Sequence, residues 1–84
     1  ADLVEARLAA LLTILADKYG TRSGGQRPMI DMRLTQRELG AMIGSTRESV
    51  SMAVNDLRRR RAIDVQRGRL ILLSPEHLAE ISRR

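Results

Sequence analysis

The 84-residue chain has no cysteine, two prolines, one histidine and one aromatic residue, Tyr19. Without thiols it has no disulfide framework, no zinc–thiolate site and no iron–sulfur centre, and a reducing compartment, the cytoplasm, is expected. A single ring offers no platform on which successive bases of a single strand could stack, so duplex DNA is the better-fitting nucleic acid. An apolar run such as Leu70 to Leu73 is far too short to span a bilayer, and neither a membrane segment nor a signal peptide is expected. His77 stands between Glu76 and Glu80 without a nucleophile or a ligand cluster at usable spacing, and no glycine loop of the phosphate-cradling kind is present. The expectation is a surface histidine, no metal, no cofactor in this chain and no enzyme.

The formal charge is +5, and it is unevenly placed. Up to residue 32, Arg7, Lys18, Arg22 and Arg27 are matched by Asp2, Glu5, Asp17 and Asp31, so the excess falls in residues 33–84. A basic face of this kind attracts nucleic acid or anionic lipid. All but one of the basic residues are arginine, which suits phosphate and guanine recognition, although a GC-rich genome produces the same bias. A chain this short buries only about 60% of the surface its unfolded form exposes, so one domain over residues 1–84 is expected.

Periodicity and punctuation divide it. Asp2 and Glu5 can cap a helix over 2–19, with Val4, Leu8, Leu11, Leu12 and Leu15 at helical spacing and Gly20 at its end. The polar stretch 20–28 predicts an exposed loop and 29–34 a short strand. Thr35 and Glu38 form a capping box opening a helix to about Ile43, and Ser45 and Glu48 form a second opening a helix through about residue 60. Ile63 and Val65 alternate with Asp64 and Gln66, Arg67 and Gly68 interrupt, and residues 69–73 are mostly apolar, which predicts a hairpin over 63–73. Ser74 before Pro75 starts a last helix over 75–82. The expected fold class is mainly α with small β-hairpins, a winged helix-turn-helix.

Residues 35–60 carry the functional signal. Two helices joined by so short a turn need small residues where their backbones meet, and Gly40 and Gly44 stand there, with Leu39, Ile43, Val50 and Ala53 as the apolar interior. The second helix is then the one that enters the major groove. Val50, Ala53, Val54 and Leu57 claim its inner face, which leaves Arg47, Glu48, Ser51, Met52 and Asn55 as candidate base readers. Arginine can pair with guanine O6 and N7, and a carboxylate can accept from cytosine N4. Glu48 has an alternative as the closing residue of its capping box. Thr35, Gln36, Arg37, Thr46 and Ser49 are candidate phosphate contacts, with pure capping as the alternative for Thr35 and Ser45. Arg67 and Arg69 flank the hairpin tip, where they would either touch the DNA backbone or form a solvated edge. The run Arg58 to Arg61 is read as a solvated helix end outside the site. A winged-helix module that binds an acidic protein is the alternative function.

The segment LTQRELGAMIGSTRESV, Leu34 to Val50, with Asp56 to Arg58 and Ala62 to Ile63, resembles the C-terminal winged-helix domain of the cyclic-AMP receptor protein and fumarate-nitrate regulator (Crp-Fnr) family of bacterial transcription factors. The resemblance implies sequence-specific duplex-DNA binding by an activator that works as a homodimer, with Arg47 and Glu48 reading G·C pairs. It implies phosphate contacts at Gln36, Thr46, Ser49 and the wing, and contact with RNA polymerase near the 21–28 loop. It also implies an N-terminal domain, absent from these residues, that binds an effector such as a cyclic nucleotide. The receptor-protein branch has an arginine four residues after the glutamate, where this chain has Met52. The stripe Val4, Leu8, Leu11 and Leu15 is either a dimer seam or the face that packs on the helix-turn-helix.

Overall fold

Leu8, Ala9, Leu12 and Leu15 recur on one side of the first helix, α1 (Leu3–Tyr19), and all four are buried. The computed structural model describes residues 3–21, 29–30, 36–67 and 69–83. Three further helices, α2 (Gln36–Ile43), α3 (Arg47–Arg59) and α4 (Pro75–Ser82), pack against α1, and the buried residues of all four merge with Ile30, Ile63, Leu70 and Leu72 into one apolar cluster. The stripe that could have been a dimer seam is therefore inside: Leu8 and Leu15 are core, and Val4 and Leu11 are partly buried against it.

Four short strands, β1 (Gly20–Thr21), β2 (Met29–Ile30), β3 (Ile63–Gln66) and β4 (Arg69–Leu72), form an antiparallel sheet in the order β1-β2-β4-β3. Ile63 pairs with Leu72 and Val65 with Leu70 on the core side, while Asp64 with Ile71 and Gln66 with Arg69 alternate outward, as period-two packing requires. The architecture is mainly helical with a small sheet, a winged helix-turn-helix.

One expectation needs correction, and two fall partly outside the described residues. Residues 20–21 do not belong to the expected loop, because they pair with residues 29–30, and such short edge pairing is set by the neighbouring strand rather than by local pattern. The strand expected over 29–34 is described only at Met29 and Ile30, and 31–35 lie outside the described residues. Glu5, read as the cap partner of Asp2, is buried, with its carboxylate 3.5 Å from Arg60 Nε; Asp2, and with it the expected cap, lies outside the described residues.

The end of α3 explains how helix passes to wing. Arg61 has φ 58°, the left-handed conformation that glycine usually supplies. Its N–H donates to the Arg58 carbonyl and the Ala62 N–H to the Leu57 carbonyl, both at 3.0 Å, a complete Schellman motif. Leu57 and Ala62, which bracket that motif, are both fully buried. The Ala62 carbonyl then accepts from the Leu73 and Ser74 N–H groups, tying the far end of the hairpin to the same point. Ser74 caps α4 by accepting from the His77 N–H at 3.3 Å, with Pro75 following it.

Candidate nucleic-acid interface

The elbow between α2 and α3 is set by two glycines. Gly44 has φ +68°, where an L side chain would be strained. At Gly40 a Cβ would lie 2.7 Å from the Ser45 carbonyl oxygen, so any side chain would force the turn backbone away. The Ser45 N–H donates to the Gly40 carbonyl at 2.7 Å, which closes the turn and holds Ser45 inside it.

That bond decides the start of α3. The cap is Thr46 rather than Ser45: the Thr46 Oγ1 accepts from the Ser49 N–H at 3.1 Å, and the Thr46 hydroxyl donates to Ser49 Oγ at 3.0 Å. The expected pairing of Ser45 with Glu48 is thus displaced by one residue, because Ser45 has already been taken up by the turn. Two consequences follow. The Thr46 hydroxyl is spent on the cap, while the Ser49 O–H remains available to donate. Glu48, relieved of the cap, has no hydrogen bond or ion pair among the described residues.

Val50, Ala53, Val54 and Leu57 are buried on the inner face of α3. Of the candidate readers, Arg47, Glu48 and Asn55 are exposed, Ser51 is half-buried, and Met52 is 70% exposed. Arg47, Glu48 and Ser45 border one open hollow with Arg37 and Ala41 of α2. Arg37, a candidate phosphate contact, is thereby brought beside two candidate readers. Ala41 carries no polar chemistry that a sequence reading would single out. Its spacing of one helical turn from Arg37 is the only signal, and its small side chain keeps the hollow open. Met52 and Asn55 border a second hollow, walled on its far side by Ile63, Asp64 and Leu73.

Thr35 and the Gln36 side chain lie outside the described residues, as does Gly68. At the wing tip Arg67 is exposed with φ 52°, and Arg69, also exposed, pairs across from Gln66. The arginine run is exposed, as a solvated helix end should be, but it is also paired. Arg58 lies 3.7 Å from Asp64, Arg59 pairs with Asp56 and Arg60 with Glu5, so three of its four guanidinium groups have a carboxylate neighbour. Among the described residues no group of three His, Cys, Asp or Glu could hold a metal, and no helix is long and apolar enough to cross a membrane.

Known proteins share this arrangement. Residues 6–81 match the Crp-like helix-turn-helix domain. A CRP-like cAMP-activated global transcriptional regulator of Mycobacterium tuberculosis is 32% identical over 80 residues, 95% of this chain and 35% of the relative. The chain therefore spans about a third of the length of the curated relatives it matches. A transcriptional regulator of the CRP family from Thermus thermophilus superposes with a TM-score of 0.85 at 29% identity, covering 100% of this chain and 42% of that one. A CO-dependent transcription factor from Carboxydothermus hydrogenoformans gives 0.82 at 29% identity, over 93% and 36%. With its glycine elbow, outward-facing α3 and β3–β4 wing, this chain belongs to the Crp-like helix-turn-helix family of DNA-binding transcription regulators.

Proposed function

We propose that the chain recognises a specific double-stranded DNA sequence, with α3 in the major groove, as one half of a symmetric homodimer on half-sites about one helical turn, roughly 34 Å, apart. The observation that carries this reading is the first turn of α3, where Arg47 and Glu48 are exposed and without partners among the described residues, opposite a fully apolar inner face. Arg47 donates two hydrogen bonds to guanine and Glu48 accepts from cytosine. Ser51, Met52 and Asn55 extend the reading surface along the helix. Arg37, Ser49, Arg67 and Arg69, with Gln36 and Thr35, contact phosphates, aided by the unpaired N–H groups that follow Thr46 at the start of α3, so that Thr46 serves the phosphate through the cap it makes and not through its hydroxyl.

The regulator acts as an activator in the cytoplasm, touches RNA polymerase near the 21–28 loop, and takes its signal on a part of the protein beyond this chain, where an effector such as a cyclic nucleotide binds. The cAMP-activated relative supports that part of the reading. Salt titration with a cognate and a scrambled duplex tests it. Affinity for both should fall with ionic strength, with a slope near −0.9 per phosphate neutralised, while their ratio stays well above one. No duplex binding at low salt would favour the protein-binding alternative, and equal affinity for the two duplexes would remove the claim of sequence specificity.

A further inference from the structure

Met52 is the most exposed of the four large apolar side chains that stand open among the described residues, at 70%, against 61% for Leu3 and 53% for Ile14 and Met42. It lies on the outward, otherwise polar face of α3, where Glu48, Met52 and Asn55 line up at intervals of four and three residues. Ile63 and Leu73 border the same hollow, yet Met52 does not fold down onto them. A thioether cannot pair with a phosphate and accepts hydrogen bonds only weakly. On the major-groove edge of DNA the one apolar feature is the C5-methyl group of thymine, which cytosine lacks. The side chain is unbranched and flexible, so it can follow such a methyl group as the helix settles in the groove. Met52 stands about 6 Å further along the axis than Glu48, and therefore addresses a different base step from the first turn.

Resting on the assignment of α3 to the major groove, we infer that Met52 is a specificity-determining residue whose thioether covers the methyl group of one thymine in each half-site. The half-site then has two chemically distinct parts, a G·C part read by Arg47 and Glu48 and a T·A pair read by apolar contact.

The test uses the full-length protein and a duplex selected by it from random sequence. Each thymine of the half-site is replaced in turn by deoxyuridine, which removes the methyl group and nothing else, and binding is measured for the wild type, Met52→Ala and Arg47→Ala. At one thymine per half-site the replacement should weaken the wild type about fourfold, the worth of one methyl group withdrawn from water, and leave Met52→Ala unchanged. A selected half-site without a T·A pair near its G·C pair, or equal losses for wild type and Met52→Ala, would overturn the inference while Arg47→Ala still lost affinity for the selected duplex. Failure of Arg47→Ala to lose affinity, or absence of any duplex binding, would overturn the major-groove assignment and the inference with it.

Discussion

The two ends of α3 carry the same residue type to different ends. At its start, Arg47 stands exposed beside Glu48 with no partner among the described residues. At its close, Arg58, Arg59 and Arg60 each have a carboxylate neighbour, and the carboxylate facing Arg60 is the buried Glu5 of α1. Counting arginines would rank the second end as the more DNA-seeking. Counting charges without local compensation leaves one at each end, Arg47 and Arg61, because a guanidinium already held by a carboxylate adds little field outside its own pair.

That contrast makes distinct demands on variants. Leu57→Ala should have the largest effect, since Leu57 is fully buried on the inner face of α3 within the apolar core. A loss of about 2–5 kcal/mol in chemical denaturation is expected. A loss under about 1 kcal/mol would mean that the α3 interior is less tightly packed than its buried side chains imply.

Arg47→Ala and Arg60→Ala should behave oppositely. The first should cost about 1–3 kcal/mol of cognate DNA binding with little change in stability. The second should cost about 1–3 kcal/mol of stability, because it withdraws a charged partner from a buried carboxylate, with little change in the ratio of cognate to scrambled binding. Paired melting and binding measurements on the two variants check this, and matching behaviour would erase the distinction between the ends.

Arg61→Gly should give the smallest effect and the only gain. Glycine relieves the left-handed strain at that position and should stabilise the protein by about 1 kcal/mol without altering DNA binding. A loss of binding there would draw Arg61 into the interface.

The parts legible in the sequence were those fixed by steric necessity or by period. Gly40 and Gly44 are the residues a tight elbow demands, and the spacing of Val50, Ala53, Val54 and Leu57 admits one inner face. The wing was legible because Ile63 and Val65 alternate with polar neighbours. What escaped depended on contacts between distant segments or on near-degenerate local choices. Ser45 with Glu48 and Thr46 with Ser49 both fit a capping pattern, and only the hydrogen bond from Ser45 back to Gly40 selects the second. Glu5 finds Arg60 far along the chain, and a two-residue strand such as β1 has too little pattern to betray its pairing with β2. Of the candidate site, the exposure of Arg47, Glu48, Met52 and Asn55 followed from the apolar face opposite them, whereas the closeness of Arg37 and Ala41 to Arg47 required the elbow itself.

The central claim, that the first turn of α3 reads base sequence, is tested most directly by random-duplex selection with the full-length protein in wild-type and Arg47→Ala forms. The wild type should return a two-fold symmetric motif with a G·C pair in each half, and the variant should return a motif in which that pair is no longer preferred. Recovery of the same motif by both proteins would contradict the account.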